Sequence, residues 1–219
     1  MGFWSDAKSI AQRDPAAKGP LEVFFLYSGY HAVCWHRPAH WLYRHGLFRF
    51  ARIISQFNRF FTGVEIHPGA KIGSGLFIDH GMAIVIGETA EIGDNCTMYH
   101  GCTLGGTGKH TGKRHPTIGN NVLIGSGAKI LGPLNIGHNV RIGAGSVVLS
   151  DIPANTTAVG IPARVVRQNT IDETPSVDLD QIHLPDPTHQ EILELRERLE
   201  QLAKEVREYQ NIAKTNKKE

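Results

Sequence analysis

Two short clusters hold the side chains best suited to chemistry. Glu65-Ile66-His67-Pro68 together with Asp79-His80 form the first. The run from Thr103-Leu104-Gly105-Gly106-Thr107-Gly108 to Arg114-His115-Pro116 forms the second. An imidazole has an ordinary pKa of about 6.5, so its neutral form can take a proton near neutral pH. With a carboxylate to orient the ring and stabilise the imidazolium, it acts as a general base on a hydroxyl or an amine. His80 has Asp79 beside it and Glu65 15 residues earlier. The Gly-rich run lets backbone approach a ligand closely, but it lacks the Lys-Ser/Thr ending of a phosphate-binding loop. An acid beside a histidine is most often solvated polarity, so the functional reading depends on the elements that bring these clusters together.

Those elements have a period of six. Ile66, Ile72, Ile78 and Ile84 form one train of aliphatic residues, Ile86, Ile92, Met98 and Leu104 a second, and Ile118, Ile124, Ile130, Ile136, Ile142 and Val148 a third. Gly follows many of them, as at Gly73, Gly87, Gly93, Gly119, Gly125, Gly137 and Gly143. This is the hexapeptide repeat of a parallel β-helix. Three six-residue faces make a triangular coil, and the aliphatic residue of each face stacks on its equivalent about 4.8 Å along the axis. An amphipathic helix is excluded, since period six matches neither helix nor strand alternation and the Gly density would dissolve it. The trains break at Ile84–Ile86 and again between Leu104 and Ile118. A solenoid takes insertions at its corners, so function is expected beside these breaks. Glu65 and His80 fall within one turn of the coil, and alternation from Ile78 turns Asp79 outward.

The flanks read differently. Residues 1–62 are expected to be a helical domain, with a first helix ended at Asp14-Pro15, an apolar helix over Leu21–Tyr30, and another opened by Pro38. Trp41, Leu42, His45, Phe48, Ile53, Phe57 and Phe60 approximate a stripe that would pack on the end of the β-helix or on a sister subunit. The β-helix occupies 63–166 with an extended loop at about 105–116. The acidic, Pro-containing stretch 167–187 reads as a linker. Residues 188–213 form an amphipathic helix in which Ile192, Leu195, Leu199, Leu202, Val206 and Tyr209 make a seam of nearly three heptads, a trimeric coiled coil or a helix lying on its own subunit. The fold class is thus mainly β with α.

Composition bounds the function. With 41% hydrophobic and 20% charged residues and a net charge of +2, the 219-residue chain is ordinary for a soluble protein and gives no electrostatic case for nucleic acid. No apolar run is long enough to span a membrane, and residues 1–20 are not a secretory signal. Cys34, Cys96 and Cys102 show no CxxC spacing and read as reduced thiols of a cytoplasmic protein.

Asp79-His80-Gly81, Gly87-Glu88-Thr89-Ala90, the Thr103–Gly108 run and Arg114-His115-Pro116, in this order, resemble the serine O-acetyltransferase family. So do Arg13-Asp14-Pro15, Gly29-Tyr30-His31-Ala32 and Gly143-Ala144-Gly145-Ser146-Val147-Val148, and the resemblance spans roughly Arg13 to Val166. It implies a left-handed β-helix, a homotrimer, and transfer of acetyl from acetyl-CoA to the hydroxyl of L-serine, the first step of cysteine biosynthesis. Carried over by motif, His80 is the general base and Glu65 its orienting acid. Asp14 and Asp79 hold the serine ammonium, and Arg114 and His115 its carboxylate. Gly106, Thr107, Ser126, Arg141 and Ala144 line the acetyl-CoA groove between subunits. No metal and no acyl-enzyme are implied, and L-cysteine in the serine site is the implied feedback inhibitor. The short helical part favours a lone trimer over the hexamer of longer members. Because Asn216-Lys217-Lys218-Glu219 lacks the terminal Ile of the family's docking tail, cysteine synthase binding by that route is not expected.

Three other readings stay open. A hexapeptide acetyltransferase acting on a sugar or xenobiotic would share the base and groove but not Asp14 or Arg114-His115. A γ-type carbonic anhydrase would take zinc from three among His80, His100, His110 and His115. A trimeric scaffold with a dead site would need none of these residues.

Overall fold

The computed structural model describes residues 2–108, 111–168 and 187–215, with backbone only for 187–190 and 208–215. The expected linker, apart from its first and last residues, lies outside this description, as do His110 and residues 216–219. The chain divides into two compact units, Met1–Leu184 and Pro185–Glu219.

Period six becomes a prism with three parallel sheets as faces. The first face stacks β1 (Glu65–Ile66), β4 (Val85–Ile86), β7 (Thr103–Gly105), β10 (Lys129–Leu131) and β13 (Val147–Val148). The second stacks β2 (Lys71–Ile72), β5 (Glu91–Ile92), β8 (Thr117–Ile118) and β11 (Asn135–Ile136). The third stacks β3 (Phe77–Asp79), β6 (Thr97–Tyr99), β9 (Leu123–Ile124), β12 (Arg141–Ile142) and β14 (Thr156–Gly160), and the antiparallel β15 (Ala163–Gln168) closes it. On the first face Ile66, Ile86, Leu104, Ile130 and Val148 stand in register, each 1% exposed or less. This interior column is what the aliphatic trains build, and burying a side chain of that size contributes about 1.5–3 kcal/mol. Asn121, Asn139 and Asn155 bond side chain to side chain along another edge, at 3.1 and 2.8 Å, each in the left-handed conformation that Asn tolerates.

Both register breaks are corner insertions. Val85 faces Thr103 at a spacing of 18 residues, but Glu65 faces Val85 at 20 and Thr103 faces Lys129 at 26. The first insertion widens the corner between the third and first faces. His80, Gly81 and Ala83 all take positive φ there (60, 67 and 61°). The equivalent corners farther along turn through Gly101, Gly127 and Gly145. A non-glycine residue in this region costs on the order of 1–3 kcal/mol, a strain characteristic of functional sites. The second insertion is the loop after β7.

Four helices cover the start of the prism: α1 (Phe3–Arg13), α2 (Pro20–Leu26), α3 (Ser28–Arg44) and α4 (Phe48–Thr62). Pro38 does not open a helix as expected; it lies inside α3, and the chain breaks at His45-Gly46-Leu47 instead. α3 lies directly on β3: a Cβ at Gly29 would come within 2.1 Å of the Ile78 carbonyl oxygen, so only glycine permits this approach. The aromatic stripe does not pack on the β-helix. Trp41, Phe48, Ile53, Phe57 and Phe60 are exposed, while α4 turns Ala51, Ser55, Asn58 and Thr62 inward. The reason is polar: Ser55 Oγ donates to the Ile66 carbonyl and Asn58 Nδ2 to the Ala32 carbonyl, both at 2.9 Å. Arg13 is buried and fastens the end of α1, donating to the carbonyl oxygens of Gly75, Asn95 (3.2 Å) and Cys96 (3.3 Å).

The second unit contains α5 (Pro187–Thr215). Its seam residues Ile192, Leu195, Leu199, Leu202 and Val206 are all exposed.

Candidate active site

The widened corner projects His80 outward, with its side chain 73% exposed. Its Nε2 lies 3.7 Å from Asp79 Oδ1. The corner opens into a cleft of about 440 Å³ lined by Asp14, Tyr27, Ser28, Gly29, Asp79 and His80 among others. Two carboxylates therefore face one space. Burial raises the Asp79 pKa, the His80 charge opposes that, and Asp14 adds to it. An entering ammonium would relieve the repulsion between the two acids. Asp14 is held at both oxygens: Oδ2 accepts from the Tyr27 hydroxyl at 2.6 Å, and Oδ1 from the Ala16 N–H at 2.8 Å. Burial and Asp14 raise the Tyr27 pKa, which keeps it a phenol donor.

The expected contact between Glu65 and His80 is absent. Glu65 pairs instead with Arg59 of α4 at 3.0 Å. The extra residues of the corner carry His80 away from the face of β1, and Asp79 is the carboxylate left beside it. The ring of His100, one coil on, meets His80 edge-on with centroids 5.9 Å apart.

Arg114 and His115 lie at another edge, between the first and second faces, where the inserted loop returns. Glu88 accepts from Arg114 Nη2 at 2.5 Å and from the Tyr43 hydroxyl at 2.8 Å. Both donors hold the Glu88 carboxyl below its usual range, Tyr43 the more strongly. Thr89 Oγ1 accepts the backbone N–H groups of Arg114 and His115, each at 3.1 Å. His115 is buried, and burial, then the Arg114 charge, lowers its pKa. Gly106 and Thr107, at the start of the same loop, are exposed.

Comparison with known proteins gives this arrangement its context. The sequence profile described as bacterial transferase hexapeptide (six repeats) matches residues 115–150. A serine acetyltransferase of Staphylococcus aureus (strain Mu50) is 55% identical over 195 residues, covering 89% of this chain and 91% of its own. The chain belongs to the serine acetyltransferase family. The crystal structure of the Vibrio cholerae serine acetyltransferase superposes with a TM-score of 0.80 at 42% identity, covering 83% of this chain and 70% of that one. A serine acetyltransferase in complex with cysteine gives 0.79 at 39% identity, covering 82% and 69%. Similar structures also include complexes with serine and with coenzyme A. The chain is accordingly an acyltransferase, which sets aside the carbonic anhydrase reading.

Within a serine acetyltransferase frame, the remaining expected residues fall in two groups. Ser126 and Ala144 lie on the same edge as His80 and His100, chained by Gly127 N–H to the His100 carbonyl (2.9 Å) and Gly145 N–H to the Ser126 carbonyl (2.8 Å). Both side chains are small, and Ala144 is exposed. Arg141 is 7% exposed within β12. Among the described residues no three His, Cys, Asp or Glu side chains converge as a metal site. Burial pushes the Cys96 and Cys102 thiols up to about 11, so neither is a nucleophile near neutral pH. No described helix is long and apolar enough to cross a membrane. Sequence reasoning gave no roles to Tyr27, Tyr43, Glu88 or Thr89. Glu88 and Thr89 stood within a quoted motif, but nothing local marks Tyr27, because only the packing of α2 and α3 brings it to Asp14.

Proposed function

We propose that this serine acetyltransferase family member transfers acetyl from acetyl-CoA directly to the L-serine hydroxyl, with His80 as general base. The observation that carries this reading is the cleft in which His80 meets two carboxylates, Asp14 and Asp79. Those acids bind the serine ammonium and so present its hydroxyl to His80. The imidazole takes the hydroxyl proton as the oxygen attacks the thioester carbon. The tetrahedral intermediate collapses, the C–S bond breaks, and the proton passes to the departing thiolate to give O-acetyl-L-serine and CoA. Glu65 steadies the imidazole once its pair with Arg59 opens; in the free chain Asp79 stands in that place.

Arg114 and His115 bind the serine carboxylate. In one chain they are separated from His80 by the whole first face, where six nearly extended residues span roughly 20 Å, too far for one amino acid to bridge. A second copy supplies the missing half. A head-to-tail contact between unlike edges gives a closed ring when its rotation closes, and a ring of three copies is the homotrimer. Acetyl-CoA runs along the edge of His80, Ser126 and Ala144, covered by Gly106 and Thr107 of the neighbour. Arg141 lines the wall of that groove from β12.

Cysteine carries the same ammonium and carboxylate as serine and acts as a feedback inhibitor in the same cleft, in keeping with the cysteine-bound relative. Free thiols at Cys34, Cys96 and Cys102 fit a cytoplasmic setting. An acceptor panel tests the reading: CoA release from acetyl-CoA is expected with L-serine, suppressed by L-cysteine, and absent with amino sugars. Release with a sugar and not with serine would overturn it.

A further inference from the structure

The Arg114–His115 half of the site contains a more specific device, which rests on the reading of that pair as the carboxylate site. The Thr89 backbone N–H lies 3.2 Å from His115 Nδ1, and Thr89 Oγ1 lies 2.9 Å from the same nitrogen. A backbone N–H can only donate, so Nδ1 is an acceptor without a proton. Oγ1 already accepts the N–H groups of Arg114 and His115, so its own hydrogen is directed at Nδ1 as well. The neutral ring must then carry its proton on Nε2. That nitrogen has no hydrogen-bond acceptor among the described residues. Two glycines bring backbone without a side chain against it: a Cβ at Gly87 would lie 2.1 Å from Nε2, and one at Gly106 3.0 Å away.

We propose that Thr89 is a positioning residue that fixes His115 as a neutral Nε2–H donor to the amino-acid carboxylate. The carboxylate is thus met by one cation, Arg114, and one neutral donor whose direction is set. The charged groups facing the ring are consistent with this. Arg114 and Lys113 disfavour a second proton, Glu88 favours it, and burial outweighs the latter. His67 also senses the ring's charge. The same hydroxyl ties down the end of the inserted loop, so one side chain sets both the tautomer and the place of the pair.

The test uses the full-length enzyme with L-serine and acetyl-CoA. Thr89→Val removes the hydroxyl at nearly constant shape and leaves the Arg114 and His115 N–H groups unpaired. It is expected to raise KM for serine about tenfold or more, as loss of hydrogen bonds to charged or buried groups does. KM for acetyl-CoA should stay within about twofold, and Thr89→Ser should recover most of the serine affinity. Gly87→Ala, whose Cβ lands on the ring, should raise KM for serine while keeping the hydroxyl. Ring nitrogen NMR of the wild type is expected to show His115 protonated on Nε2 and bare on Nδ1. An Nδ1 proton, or unchanged serine KM in Thr89→Val with normal turnover, would overturn the inference. Absence of serine-dependent turnover in the wild type would instead defeat the functional reading, leaving the tautomer to be judged by NMR alone.

Discussion

His80 combines three properties that a surface histidine has no reason to combine. Its backbone is in the left-handed region, its ring is exposed, and two carboxylates, its neighbour Asp79 and the distant Asp14, line its cleft. The chemistry of the cleft depends as much on how Asp14 is aimed. Tyr27→Phe deletes a single short hydrogen bond to that carboxylate and should raise KM for serine about three- to tenfold, with kcat nearly unchanged, in steady-state kinetics. A larger fall in kcat than in serine affinity would place Tyr27 in the chemical step instead. Glu65→Gln gauges the orienting acid. If Glu65 serves His80 during turnover, kcat falls on the order of tenfold or more; if it serves only Arg59, kcat holds and stability slips by at most about 1 kcal/mol. The places of His80 and Asp79 at a widened corner, and of Arg114-His115 at the end of the inserted loop, were legible in the sequence because breaks in the repeat mark both. The Glu65–Arg59 pair was not, because it depends on where α4 crosses β1.

At the scale of elements, the solenoid was legible almost completely, since a six-residue period is a direct record of which side chains point inward. Even the coil offsets of 20 and 26 residues follow from the breaks in the aliphatic trains. The helices were less legible. Aromatic residues on α4 suggested an inward face, yet Ser55 and Asn58 took that place through bonds to carbonyls no pattern announces. The docking of α3 on the first coil also holds a titrating group. His36 is 4% exposed, its Nε2 donates to the Ala70 carbonyl at 3.1 Å, and its Nδ1 has no partner among the described residues. Burial, then His40, lowers its pKa from 6.5 to about 4, with His67 and Arg37 adding and the Ala70 bond opposing. The unfolded chain therefore binds the proton more readily. Stability is full above about pH 6.5 and falls as pH drops towards 4, by about 3 kcal/mol in all from this group. Urea midpoints measured between pH 7.5 and 4.5 should fall more steeply for the wild type than for His36→Gln. Parallel curves would contradict that assignment.

At the scale of the whole molecule, the two groups of residues proposed to bind serine occupy different edges of one prism, so activity should be a property of the assembly. Mixing His80→Ala and Arg114→Ala chains through unfolding and refolding tests this. Either variant alone should be nearly inactive at low serine, and an equal mixture should recover about a quarter of wild-type activity, the share of interfaces that pair two intact halves. No recovery would place both halves within one chain. Cutting the chain after Asp180 removes the exposed seam of α5; a trimer that persists at low concentration would make that helix an accessory to assembly, and dissociation would make it the main clamp. The most direct measurement is serine-dependent CoA release from acetyl-CoA by the wild type and His80→Ala side by side. A fall of about 10²–10⁴-fold in kcat with unchanged oligomeric state is the predicted result. Near-wild-type turnover in His80→Ala would contradict the account.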